Sequence, residues 1–491
     1  MAYDHQDISS AAAEDYGVSP SASAKANRNA LQSALESGGN VSLTAPGTYT
    51  IEDTLTPEVT LSVASGVILQ SPSGGAVKTL SNALRPVTPS SQGNTLAVIG
   101  DSFTAEWYYD DGSYRYTYAK GYVAWALALS QHRMTVVATP AEAGSRVSGP
   151  SPATGTEFSV QVDAAIASCA QHAIVMGGVN DFFASFSVDT VIAAYNSAIE
   201  RLICAGITVW LCTQPTMSGG YSSYTLARNA AMFRLNAWLR QQAASIWARH
   251  GVHLIDLAEI AVDSSSTTGG YKTDYSYDGG LHPSNIGAYF MGKEVARVWS
   301  KYVPEANLLV SSRADNYAYD SSIGNLIDNG LFYNGTGTGT GFTGAAVAGG
   351  SSINSLVARS DGIGQDQQMV ITSTADNDGY RLYTGSLHAR CSAGDILQFA
   401  CEITVSDMTN FQGARLQVDY VGTTTRGVAD LYHNTSNDLA LTEGYTAMLK
   451  TPPNYINGTP TSVVATIWTH FTGAGGATVK VGRFSGRKLV Q

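Results

Sequence analysis

Five short apolar runs alternate with helical stretches between Thr95 and about Tyr302, and this alternation restricts the fold more than any other feature. The runs are Leu96–Ile99, Met134–Ala138, Ala173–Met176, Thr208–Cys212 and Val252–Asp256. Between and after them lie Gly121–Gln131, Phe158–Ala170, Val188–Cys204, Leu226–Arg249 and Ser284–Lys301. In the third of these, Val188, Val191, Ile192, Tyr195, Ile199, Leu202 and Ile203 recur at the spacing of one helix face. Short runs that stay apolar without alternating are strands buried on both faces, and a helix between two of them returns the chain for a parallel neighbour. The pattern predicts a three-layer α/β/α domain around a parallel sheet. Roughly 210 residues suit one such domain.

The flanks read differently. Ser23–Glu36 predicts a short helix with Ala26, Ala30, Leu31, Ala34 and Leu35 as its apolar stripe and Gly38-Gly39 behind it. Short strands are expected at Val41–Leu43, Tyr49–Ile51, Thr60–Val63 and Val67–Leu69, and Leu84–Asn94 reads as a linker. Beyond Val310 come a Gly/Thr run and alternating strands such as Gln368–Thr372, Ile396–Val405, Ala414–Tyr420 and Val463–Phe471, with no long helix. These predict a C-terminal β-sandwich of jelly-roll type. The expected division is therefore 1–92, 93–310 and 311–491.

Composition narrows the function. Of the 491 residues 44% are hydrophobic and 14% charged, the net charge is −11, and no block of Lys or Arg occurs, so nucleic acid is not an expected partner. The start, MAYDHQDISS, lacks a basic segment and an apolar core, so no secretory signal is expected. No stretch approaches the roughly 20 apolar residues of a membrane span. The five cysteines (Cys169, Cys204, Cys212, Cys391 and Cys401) are scattered without CxxC spacing and read as reduced core residues. His250 and His253 are spaced like ligands, but no third ligand converges with them, and neither a metal nor another cofactor is expected.

The first apolar run ends in Gly100-Asp101-Ser102-Phe103. A parallel strand that stops in a glycine turn presents the next residues at the sheet's carboxyl edge, where ligands bind in open α/β folds. Ser102 there is either a helix cap or a nucleophile. A nucleophilic serine needs a base, an orienting group and oxyanion donors. Gly144 follows the second strand and can offer its backbone N–H. Asn180, after the third strand in Gly178-Val179-Asn180-Asp181, can offer its side-chain amide. His282 precedes Pro283 and a helix, with Asp278 four residues before it. Trp107, Tyr108 and Tyr109 directly follow the serine segment and are candidates for a sugar-binding floor, or for packing.

Taken together the four segments resemble the conserved blocks of SGNH (GDSL-type) hydrolases. Gly100-Asp101-Ser102-Phe103 is similar to the first block, Gly144 to the second, Gly178-x-Asn180-Asp181 to the third, and Asp278…His282 to the last. The resemblance implies that Ser102 attacks an ester carbonyl and that His282 is its base and Asp278 the acid orienting the imidazole. It implies an oxyanion hole of the Ser102 N–H, the Gly144 N–H and the Asn180 side chain. Two departures stand out. An extra glycine gives Asp278-Gly-Gly-Leu-His282, leaving open whether Asp278, Asp274 or a backbone carbonyl serves the imidazole. Thr139 also stands where the second block often has asparagine.

Tyr16-Gly17-Val18, the helix and GGNVSLTAPGTYTI resemble the start of the right-handed parallel β-helix of phage tailspikes. With the asparagine-led opening of the C-terminal region, this implies a tailspike-like esterase. Such a protein removes O-acetyl groups from a bacterial surface polysaccharide, forms homotrimers, sits with other tail proteins on a virion tail, and acts at the bacterial surface. The rival readings are a catalytically idle glycan-binding adhesin and a free-standing bacterial lipase or esterase.

Overall fold

The computed structural model describes residues 11–12, 18–36, 41–43, 47–50, 61–63, 67–70 and 94–489, the last range apart from 111–113, 118–120, 151–155, 246, 306–308, 319–320, 322–323, 422–425 and 431–438. The expected linker up to Gly93 and the Tyr16-Gly17 signal lie outside the described residues, as do Ile51 and Thr60 of two expected strands.

In the N-terminal region the helix Ala24–Glu36 is followed by short strands that pair in parallel. Val41 lies opposite Leu61 and Gly47 opposite Val67, the same 20-residue step in both. Asn27, fully buried, pins the helix by donating to the carbonyls of Ser19 and Thr50 and accepting from the Ser19 N–H.

The central domain carries five parallel strands: β1 (Asn94–Gly100), β2 (Met134–Ala138), β3 (His172–Met176), β4 (Thr208–Cys212) and β5 (Val252–Ile255). Their order is β5-β4-β3-β1-β2. The chain leaves β1 toward β2 on one side and returns to β3 on the other. The β1/β3 boundary is thus the topological switch point, where a crevice opens at the carboxyl ends. The helices are α1 (Ser102–Ala105), α2 (Tyr122–Leu129), α3 (Phe158–Ala167), α4 (Val179–Phe183), α5 (Val188–Cys204), α6 (Leu226–Ala244), α7 (Leu257–Ala261) and α8 (Asn285–Tyr302). α2 packs with α8, whereas α5 packs between α3 and α6, giving the outer layers. Central positions such as Val98, Ile174 and Leu211 are fully buried, while β2 lies at the edge and leaves Val137 exposed. Helix α6 ends earlier than its pattern suggested: Ser245 leaves helical geometry, and Trp247 turns back to meet Trp238 edge-on.

The C-terminal region is β-rich and mainly antiparallel. Its two longest strands, β6 (Ile396–Val421) and β7 (Ser462–Leu489), pair along almost their whole length, with register shifts clustered between Ser406 and Gly413. Bulges of this kind bend a strand. On either side of them β6 and β7 take different neighbours: Tyr445–Lys450 and Gln365–Ser373 on one side, Arg426–Asp430 and Asp376–Thr384 on the other. Phe399, Ile403, Phe411, Leu416, Ile467, Phe471 and Val479 from both halves enter one buried cluster.

This region does not stand apart from the α/β domain. Helix α2 is buried from Tyr122 to Ala128, which a helix achieves only when both its sides are covered. One side meets the sheet. On the other, Trp125 packs edge-on against Tyr289 of α8 and Tyr445 of the C-terminal region, in one buried cluster that the two regions share. Asn285 exchanges two hydrogen bonds with the backbone of Leu439, and a hairpin after α1 (Tyr108–Asp110, Tyr114–Thr117) extends the C-terminal sheet by pairing in parallel with Arg426–Asp430.

Candidate active site

The site forms where the carboxyl ends of β1, β2 and β3 meet the loop before α8. β1 ends at Gly100, whose position admits no side chain: a Cβ would lie 2.5 Å from Thr104 Oγ1 and 2.7 Å from the Met176 carbonyl. Asp101 caps α1, its carboxylate accepting from the Phe103 N–H, and so places Ser102 as the first helical residue.

His282 reaches Ser102 from the far end of the domain. Its Nε2 lies 2.8 Å from Ser102 Oγ, and its Nδ1 lies 2.6 Å from Asp278 Oδ2. The other oxygen of Asp278 accepts the N–H groups of Leu281 and His282, each at 2.9 Å. The two inserted glycines make this possible. Gly279 and Gly280 have φ values of +83° and +122°, a bulged turn that lets a carboxylate four residues before the histidine fold back onto its ring. At Gly280 a Cβ would also lie 2.1 Å from Ser218 Cβ. Asp274 is exposed and accepts through its backbone carbonyl from Ser284 Oγ, so the structure sets Asp278 against the imidazole.

The electrostatics follow from these contacts. Burial works against charge on His282, but the Asp278 hydrogen bond, with Glu106 and Asp101 nearby, outweighs it and raises the imidazole pKa above its ordinary 6.5. Burial likewise opposes the Asp278 carboxylate, yet its hydrogen bonds to the His282 ring and the two N–H groups hold its pKa below the usual range. Asp101 is different: full burial dominates and lifts its pKa to about 7 despite the donors Gln214 and Phe103.

Gly144 lies on the loop after β2, and Asn180 in the first turn of α4, the helix that follows β3. The Asn180 amide donates one proton to the Ser145 carbonyl at 3.0 Å. Its neighbour Asp181, fully buried, accepts from the N–H groups of Val147 and Ser148 at 2.9 and 2.8 Å, binding the two loops together. Among the described residues the N–H groups of Ser102 and Gly144 donate to no protein acceptor.

The aromatic candidates divide. Trp107 is only 6% exposed and packs in the α/β core, so it is a packing residue and not an open sugar floor. Tyr108 is half-buried against it at 5.3 Å. Tyr109 lies in the hairpin strand, with its side chain outside the described residues. Tyr277 was not anticipated; its ring lies parallel to that of His282 at 6.0 Å, and its hydroxyl donates to Glu106 at 3.3 Å. His253 stacks on Trp210, and among the described residues no group of three or more His, Cys, Asp and Glu is arranged to hold a metal.

Residues 98–289 match the model of the GDSL-like lipase/acylhydrolase family. No curated protein matches the chain. Solved structures similar to it include an acetyl xylan esterase, AlAXEase, at 17% identity (43% of this chain, 100% of that one, TM-score 0.32). A carbohydrate acetylesterase from Sinorhizobium meliloti is 12% identical (42% and 99%, TM-score 0.33). A carbohydrate esterase family 3 protein from Talaromyces cellulolyticus is 13% identical (43% and 98%, TM-score 0.32). Over residues 98–289 the chain is thus similar to the GDSL-like lipase/acylhydrolase family.

Proposed function

We propose that this chain is a serine esterase that removes O-acetyl groups from a bacterial surface polysaccharide, as a tailspike-like receptor-binding protein of a phage. The observation that carries the esterase reading is the continuous relay Asp278–His282–Ser102, with contacts of 2.6 and 2.8 Å. In this mechanism His282 Nε2 takes the Ser102 proton as Oγ attacks the acetyl carbonyl carbon. Negative charge gathers on the carbonyl oxygen, which the N–H groups of Ser102 and Gly144 and the Asn180 amide stabilise. Collapse of the intermediate breaks the ester C–O bond, and His282 returns its proton to the departing sugar hydroxyl. Water, deprotonated by the same imidazole, then attacks the acetyl-serine; the C–Oγ bond breaks, acetate leaves, and His282 returns the proton to Ser102 Oγ. Asp278 holds the tautomer with the proton on Nδ1 throughout and stabilises the transient imidazolium.

The finer parts rest on sequence character and on the flanks. The 20-residue parallel step in the N-terminal region supports a short β-helix-like cap, since stacked coils repeat at a fixed period. A β-rich C-terminal body on the same chain supports a jelly-roll that holds glycan. A homotrimer on a virion tail, beside other tail proteins, completes the reading. The test is acetate release, followed by NMR, from a panel of O-acetylated capsule and O-antigen polysaccharides. Release by the wild type and none by Ser102→Ala is expected. Hydrolysis of lipid-like acyl esters alone, with no glycan deacetylated, would overturn the substrate assignment.

A further inference from the structure

The proposed oxyanion donors come from three separate segments: Ser102 at the start of α1 after β1, Gly144 on the loop after β2 and Asn180 in the first turn of α4 after β3. Hydrogen-bond donors help a transition state only if they are fixed before the charge appears. What fixes these three relative to one another lies beneath the site. Gln161, on α3, is fully buried. Its Oε1 accepts the Gly100 N–H at 2.8 Å, and its Nε2 donates to the Gly100 carbonyl at 3.0 Å and to Ser145 Oγ at 2.9 Å. One amide thereby joins the residue two before the nucleophile to the residue next to Gly144.

Gln214, after β4, is 2% exposed and does the same for the other pair. Its Nε2 donates to Asp101 Oδ2 at 2.8 Å, and its Oε1 accepts the Val179 N–H at 2.9 Å. Its own backbone is held on both sides by the Asn236 side chain. The third side of the triangle is closed by Asn180 and Asp181 on the second loop. Neither glutamine belongs to the four sequence blocks. Gln161 nevertheless occupies the buried stripe Phe158, Gln161, Val162, Ala165 of α3, a helix face that otherwise takes apolar residues.

We propose that Gln161 and Gln214 are positioning residues of the esterase, each locking the nucleophile turn to one of the two loops that supply the remaining oxyanion donors. This rests on the acyl-transfer reading above. Neither side chain touches the reacting atoms; each acts through the spacing of Ser102, Gly144 and Asn180.

The test uses the full chain with p-nitrophenyl acetate. Gln161→Met and Gln214→Met keep volume and remove the amide, while Ser145→Ala, a milder change, cuts only the link from Gln161 to the second loop. For the glutamine variants a fall in kcat of about 10- to 100-fold with KM within about 3-fold is expected, because a displacement near 1 Å has that effect on a positioned group. Ser145→Ala should fall in the same direction by a smaller factor. The decisive readout is coupling: in an Asn180→Ala background, Gln214→Met should lower kcat by less than about 3-fold, since the donor whose placement it secures is gone. Folded variants with wild-type kcat, or a Gln214→Met loss that simply multiplies with that of Asn180→Ala, would overturn the proposal while leaving the esterase reading intact. A wild-type chain with no turnover of any ester would overturn both.

Discussion

Replacing Asp278 by asparagine turns one acceptor oxygen into an NH2 donor and should disable the relay. The carboxylate has one oxygen on His282 Nδ1 and the other on two backbone N–H groups. An amide has only one acceptor. With its oxygen kept on Leu281 and His282, its NH2 faces Nδ1, which must then accept, so the ring proton moves to Nε2 and points at Ser102. A base carrying its proton on the wrong nitrogen cannot take another from the serine. The flipped amide would restore the tautomer but turn its NH2 toward two N–H donors, leaving groups unsatisfied at about 1–3 kcal/mol each. The first arrangement therefore dominates. A loss of about 10³- to 10⁴-fold in kcat follows, or roughly 4–5.5 kcal/mol at 1.36 kcal/mol per decade. Initial rates of acetate release under saturating substrate measure it, with thermal melting to confirm the fold. Asp274→Asn is the control and should stay within about 2-fold, because Asp274 uses only its backbone toward this loop. Asp278→Asn within 10-fold of wild type would refute the reasoning, as would a larger loss for Asp274→Asn.

Because the folded His282 pKa is raised above 6.5 and the neutral ring is the active form, the acid limb of kcat/KM should be centred above pH 6.5. Glu106→Gln removes a charge that favours the imidazolium, so the limb should move to lower pH in the same titration. Gly280→Ala forces a side chain into Ser218 at a strongly positive φ and should lower both melting temperature and kcat, the latter through loss of the Asp278–His282 contact. Trp125→Ala empties a fully buried site between the α/β domain and the C-terminal body and should destabilise the chain by about 3–5 kcal/mol in denaturant titration, with KM little changed.

The parallel sheet was legible because its inner strands are buried on both faces and helix α5 carries a clear stripe; Val188–Cys204 has the bounds its periodicity predicts. Ser102, Gly144, Asn180 and His282 were legible because each sits where a strand gives way to a turn, or a turn to a helix. The choice between Asp278 and Asp274 was not, since it depends on two glycines adopting positive φ, which spacing alone does not reveal. The hairpin Tyr108–Thr117 was missed for a different reason: its partner strand, Arg426–Asp430, lies over 300 residues away, and local pattern carries no trace of so distant a pairing. Trp107 shows the converse limit. An aromatic beside a nucleophile reads as a ligand platform until its burial is known. Gln161 offered a signal, a polar residue in an apolar stripe, that only its partners made intelligible.

The proposed mechanism requires Ser102 to be a nucleophile activated by His282. Incubating the full chain with a fluorophosphonate and mapping the adduct by mass spectrometry tests this most directly. A single phosphonyl group on Ser102, formed much more slowly in His282→Ala and absent in Ser102→Ala, is the predicted result. An unmodified Ser102 in an enzyme that still hydrolyses esters, or an adduct forming equally fast without the imidazole, would contradict it.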